Sequence, residues 1–125
     1  MNLPSGHQTI MPYLILKGAS DFIDFTKTVF GAKDVIKPVL HDDGTIRHAE
    51  IILNDSTIMV TNASKDWSSQ TANLFVYVAN ADETYAKALE NGATSLMELS
   101  DKEYGRTCGV TDAFGNVWWI TSIVP

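Results

Sequence analysis

The feature that most limits the folds open to this chain is a repeat. Phe25-Thr26-Lys27-Thr28-Val29-Phe30-Gly31-Ala32 resembles Tyr85-Ala86-Lys87-Ala88-Leu89-Glu90-Asn91-Gly92-Ala93, at an offset of roughly 60 residues. Each copy reads as the end of an amphipathic helix stopped by a glycine that can take the left-handed conformation. In the first, Phe22, Phe25, Val29 and Phe30 fall at helical spacing. Ser20 is placed to cap that helix, with Asp21 and Asp24 complementing its positive end. The second opens at Asn80 with Glu83 three residues on, a capping-box-like start. Its apolar stripe is Ala81, Tyr85, Ala88 and Leu89, and Gly92 ends it.

Around each helix the same order of strand-like runs recurs. Runs at 10–16 and 74–79 precede the helices; 34–40, 46–53 and 57–61 follow the first, and 95–99, 106–111 and 117–123 the second. His41-Asp42-Asp43-Gly44 and Asn54-Asp55-Ser56 supply turns. The plan is βαβββ twice, in modules of about 8–61 and 72–123, joined by a polar linker at 62–71 within one domain of 1–125. One such unit covers a single sheet face with its helix and leaves the other face open. The expected fold is therefore α+β: two βαβββ modules forming a curved mixed sheet, a half-barrel, with helices outside and a concave cleft suited to a small molecule.

Composition narrows the classes further. The 45% hydrophobic and 19% charged content is ordinary for a globular protein. A net charge of −6 repels a phosphate backbone, so no nucleic-acid partner is expected. No apolar run reaches membrane-spanning length, and the first residues do not read as a signal peptide. A single cysteine, Cys108, excludes an intrachain disulfide and fits a reducing, cytoplasmic setting.

Strand alternation then nominates a site. Asn73, Phe75 and Tyr77 share one face, as do Met11, Tyr13 and Ile15. His48 and Glu50 also share a face, because Ala49, Ile51 and Leu53 are the apolar alternates suited to the helix side. The pair could act as general base and acid or hold a metal, with His7 as a conceivable third ligand in an N-terminal segment expected to be loose. His41 reads as solvated in its turn. Tyr104 and Arg106 are placed to hold an anionic or planar group, although Arg106 is equally suited to a surface carboxylate. Cys108 reads as a buried, inert thiol. Trp67 is expected to anchor the linker to the core, with a lid or a subunit interface as alternatives. In Trp118-Trp119 the first indole should pack under the helices, and the second should project into the cleft as its floor.

The paired βαβββ plan, Phe25-x-x-x-Val29-Phe30-Gly31-Ala32, Asn91-Gly92-Ala93 and Asp112-Ala113-Phe114-Gly115-Asn116 together resemble the vicinal oxygen chelate superfamily. Its members include glyoxalase I, bleomycin-resistance proteins and extradiol dioxygenases. Arg47-His48-Ala49-Glu50, Tyr104-Gly105 and the Trp118-Trp119 ending look most like its PhnB-like branch. The resemblance implies divalent-metal ligands at Met11, Met59, Asn73 and Trp119, where this chain has two thioethers, an amide and an indole. No metal and no cofactor are therefore expected. It also implies a homodimer.

The leading expectation is a metal-free small-molecule-binding protein of the bleomycin-resistance type. It would sequester an aromatic or cationic ligand against Met11, Tyr13, His48, Glu50, Met59, Asn73, Phe75, Tyr77, Tyr104, Arg106 and Trp119. Enzymatic activity stays open. The alternatives are a lyase or isomerase using His48 and Glu50 or a relocated metal, and a packed interaction module without a ligand.

Overall fold

In the computed structural model, which describes residues 1–123, two helices and nine strands form two mixed sheets, neither closed into a barrel. The chain divides into two compact units, one of Met1–Thr71 and one from Ala72 onward.

The first unit contains β1 (Tyr13–Leu16), α1 (Ala19–Phe30), β2 (Lys33–Asp34), β3 (Val39–Leu40), β4 (Ile46–Leu53) and β5 (Ser56–Asn62). Its strand order is β1-β5-β4-β2, with β3 also paired to β4; β1 runs parallel to β5, and the other pairs are antiparallel. Leu14, Leu16, Ala49, Ile51, Ile58 and Val60 are buried with Phe22, Phe25 and Val29 of α1, which makes the helix side of the sheet the core. Fully burying side chains of this kind contributes about 1.5–3 kcal/mol each.

Three local expectations change. The chain enters α1 from Gly18 in the left-handed conformation, without a side-chain cap, and Ser20 sits inside the first turn. Glycine allows the tight reversal only two residues after β1 ends. Asp21, but not Asp24, lies in that first turn. The first strand starts at Tyr13 rather than Ile10, because Pro12 has no N–H to give a ladder; its carbonyl still accepts from Met59 N–H at 2.8 Å. The run 34–40 is broken into β2 and β3, with Pro38 in the gap and a register shift between Val39 and Leu40.

The second unit contains β6 (Asn73–Tyr77), α2 (Ala81–Glu90), β7 (Thr94–Lys102), β8 (Gly105–Thr111) and β9 (Val117–Ser122), in the order β6-β9-β8-β7 with β6 parallel to β9. The Asn80 side chain caps α2 by accepting from Glu83 N–H at 3.1 Å, as its sequence predicts. Its buried helix side holds Ala81 and Ala88 with Cys108, Val110, Trp118 and Ile120.

The turn Asp112-Ala113-Phe114-Gly115-Asn116 is organised by one buried carboxylate. Asp112 Oδ1 accepts from the backbone N–H of Phe114 and of Asn116, and Oδ2 accepts from Asn116 Nδ2 and from Trp118 Nε1 at 2.9 Å. Asn116 Oδ1 then accepts from Ala72 N–H at 3.0 Å, which fixes the start of β6 beside β9.

The linker is less free than its composition suggests. Gln70 pairs with Ile15 in both directions, and Ala63 N–H donates to Leu16 O, so its two ends are tied to β1. Trp67 is 67% exposed and does not anchor this segment to the core. A depression of about 500 Å³ lies along the same segment, lined by Lys17, Ala63, Ser64, Ser68 and Ser69.

Candidate functional site

Each sheet has one face under its helix and one open face, and the chemistry-bearing residues fall on the open faces. In the first unit a row crosses three strands: Tyr13 on β1 pairs with Met59 on β5, which pairs with Glu50 on β4. Glu50 is 5% exposed, a costly place for a carboxylate unless it is well partnered. Its partners are two histidines. His48 Nε2 lies 2.8 Å from Oε2, and His7 Nε2 lies 2.8 Å from Oε1. Burial raises the proton affinity of this carboxyl, but the hydrogen bonds from His48 and His7 outweigh it and hold the group below the usual glutamate range. Glu50 is thus a carboxylate at neutral pH, and both imidazoles donate to it through Nε2–H. The His48 ring also meets Tyr13, with centroids 5.8 Å apart.

His7 reaches this cluster because the N-terminal segment is strapped to β5. Ahead of the start of β1, the backbone of Thr57 lacks a strand partner on that side. The Gln8 side-chain amide takes its place, donating to Thr57 O at 2.9 Å and accepting from Thr57 N–H at 3.2 Å. Thr57 Oγ1 donates to Gly6 O. The expectation of a loose segment around His7 is therefore corrected at residues 6–8. A sequence signal existed in Gly6-His7-Gln8, a short polar run before a proline-limited strand, but nothing in it says which strand it would bind.

The second unit's open face carries the matching row: Phe75 on β6, Trp119 on β9, Gly109 on β8 and Met97 on β7. Trp118 is 1% exposed on the helix side, so the two indoles part to opposite faces. Trp119 lies flat over Gly109, where an added β-carbon would stand 2.6 Å from its Cζ3. Its Nε1–H donates to Asn73 Oδ1 at 3.2 Å. Phe75 packs edge-on to Tyr77 at 5.3 Å and lies 6.1 Å from Tyr104. These three rings are 50%, 62% and 53% exposed, respectively. Gly109 is the residue that sequence reading missed; its signal is a glycine inside a strand otherwise rich in β-formers.

Arg106 belongs to the other face. Its guanidinium makes a two-point contact with Asp82, at 2.9 and 3.2 Å, and reaches Asp101 at 3.4 Å. Hydrogen bonds from Arg106 hold Asp82 below the usual carboxylate range. Cys108 is fully buried, and loss of solvent pushes its thiol up to about 11, which leaves it unreactive at neutral pH.

The four positions at which the superfamily pattern would place metal ligands do not fit a hard divalent ion. Met11 Sδ is a thioether that accepts from Gln8 N–H at 3.4 Å, and Met59 is a second thioether. The Asn73 oxygen is occupied by Trp119, and an indole has no lone pair to give. Among the described residues, no group of three or more His, Cys, Asp or Glu side chains is disposed to hold an ion. Also among them, no helix is long and apolar enough to cross a membrane.

Each unit thus carries one helix on a mixed sheet, with a helix-covered face and an open one. The sequence profile of the Glyoxalase/Bleomycin resistance protein/Dioxygenase superfamily matches residues 13–120, and this chain belongs to that superfamily. An uncharacterised protein of Mycobacterium tuberculosis is 26% identical over 121 residues, covering 87% of this chain and 71% of that one. TioX from Micromonospora sp. ML1 is similar in structure, with a TM-score of 0.75 and 23% identity over 94% of this chain and 100% of its own. TnmS3, an antibiotic binding protein from Streptomyces sp. CB03234, has a TM-score of 0.70 and 15% identity over 94% of this chain and 100% of its own.

Proposed function

We propose that this protein binds a small molecule without a metal, in the manner of the bleomycin-resistance members of its superfamily. In this reading it sequesters a planar aromatic or cationic ligand, and the open face of the second unit provides the contact surface. One observation carries it: Phe75, Tyr77 and Tyr104 stand half-exposed in a single cluster, on the face where Trp119 is held flat by Gly109 and Asn73. Aromatic rings left this exposed cost hydration free energy and offer rigid area for stacking or for a cation over a ring. That a protein of the same fold is an antibiotic binding protein supports the reading. We place the chain in the PhnB-like branch, as a cytoplasmic homodimer, on the motifs of its sequence.

A thermal-shift and calorimetric screen of aromatic and cationic natural products, glycopeptide antibiotics included, tests the proposal. Binding that stabilises the wild type and weakens about tenfold or more in Phe75→Ala is expected for loss of one stacking ring. A screen in which no compound stabilises the protein would sink it.

A further inference from the structure

The first unit holds a cluster that the aromatic face does not use. Glu50 is bonded at both oxygens by imidazole Nε2–H groups, each at 2.8 Å. A neutral imidazole that donates through Nε2 carries its lone pair on Nδ1. Among the described residues, no protein group hydrogen-bonds to Nδ1 of His7 or of His48. The anion behind them holds both rings in one orientation and tautomer, as a buried carboxylate does behind a catalytic histidine. Because each histidine engages its own carboxylate oxygen, the arrangement is a bridge rather than a chelate.

The surroundings of His48 define what can approach it. Tyr13, 51% exposed, offers its ring beside the imidazole. Val39 on β3 is the direct partner of His48 and is 44% exposed. The side chain of His48 itself is 25% exposed, that of His7 18%. A proton acceptor thus sits within an apolar, partly aromatic rim. The titratable groups facing it are Glu50 on its own strand, His7 from the N-terminal segment and Tyr13 on β1. On the same face β3 brings Val39, and β5 brings Met59 and Thr61.

We propose that His48, backed by Glu50 and His7, is a proton-accepting binding site for a ligand with an acidic hydroxyl on a planar ring, the phenol class. On binding, the phenol O–H bond breaks and its electron pair stays on oxygen. The proton forms an N–H bond at His48 Nδ1, leaving a phenolate beside an imidazolium that is itself paired with Glu50. His48 touches the ligand, while Glu50 and His7 are positioning residues. The residues differ from those of the aromatic face, so either proposal can fail alone.

The probe is 4-nitrophenol, whose phenolate absorbs at longer wavelength than the neutral form. Titrating the full chain at a pH below the phenol's own ionisation should give a saturable rise in the phenolate band and a matching ¹⁵N shift of His48 Nδ1. Affinity should fall as pH rises above the phenol's own ionisation, where the free phenolate must draw the bridging proton from water. His48→Gln should weaken binding at least about tenfold, the loss expected for one hydrogen bond to a charged group. Glu50→Gln should reduce the phenolate band even where the probe still binds, a change that a merely structural role would not produce. His41→Gln, in its solvated turn, should leave both readouts unchanged. If Glu50→Gln does not fold, the His48→Gln and pH results still decide. The idea is overturned if no phenolate band appears, if the band survives His48→Gln, or if purified protein holds a stoichiometric metal that is lost with His48.

Discussion

The two units share a topology and differ in what fills the same row of the open face. Tyr13, Met59 and Glu50 in the first correspond by register to Phe75, Trp119 and Gly109 in the second. Where the first unit places a carboxylate, it must bring two histidines to satisfy it, one of them from the N-terminal segment. Where the second places a glycine, the vacated volume takes an indole ring. The cores are exchanged in a similar way. In the first unit the helix supplies Phe22 and Phe25 while β5 contributes Ile58; in the second the helix supplies Ala81 and Ala88 while β9, the corresponding strand, contributes Trp118. One backbone plan thus accommodates a polar, proton-handling face and an aromatic one, because each large group is matched by a small or oppositely charged neighbour.

The contrast can be broken most severely at Asp112. Its carboxylate joins two backbone amides, Asn116 and Trp118, an arrangement that only the second unit possesses among the described residues. Asp112→Ala leaves several buried donors without partners and should lower stability by about 4 kcal/mol, read from urea unfolding. Gly109→Val tests whether the glycine makes room for Trp119. The added side chain collides with the ring, so a loss of about 2–3 kcal/mol is expected, with Trp119 becoming more solvent-quenched in fluorescence. Wild-type stability with unchanged fluorescence would show that the indole has another place to lie.

Glu50→Gln addresses the first unit. The folded-state proton affinity of Glu50 is depressed by its histidine hydrogen bonds, so its contribution is present above the ordinary glutamate value of 4.5 and is lost as pH falls through the lower folded value. The variant should therefore be less stable than wild type at neutral pH, by about 1–3 kcal/mol for hydrogen bonds to a charged group. That gap should narrow on acidification below the ordinary value; a gap independent of pH would remove the electrostatic account. The smallest effect belongs to Trp119→Phe, which keeps the stacking surface over Gly109 and removes the bond to Asn73 Oδ1. About 1 kcal/mol or less is expected in thermal unfolding, since that bond is partly solvated.

Much of this was legible in the chain. Helix and strand alternation placed His48 and Glu50 on one face and Ala49, Ile51 and Leu53 on the other, because a strand's side chains alternate whatever it packs against. The same rule separated Trp118 from Trp119. Asn80 read correctly as a cap because capping is settled within four residues; Ser20 did not, because Gly18 offered an earlier and tighter entry to the helix.

By itself, then, the sequence determined the repeated order of strands around each helix and the helix-side cores. These depend on residue type and short-range period alone. The tertiary structure decided the rest. It brought His7 across 43 residues to Glu50 and turned Arg106 back to Asp82 on α2. It also laid Trp119 over Gly109, ten residues away on the neighbouring strand. Each of these contacts depends on the register between separate elements, and register is set by the packing of the whole unit rather than by any local run.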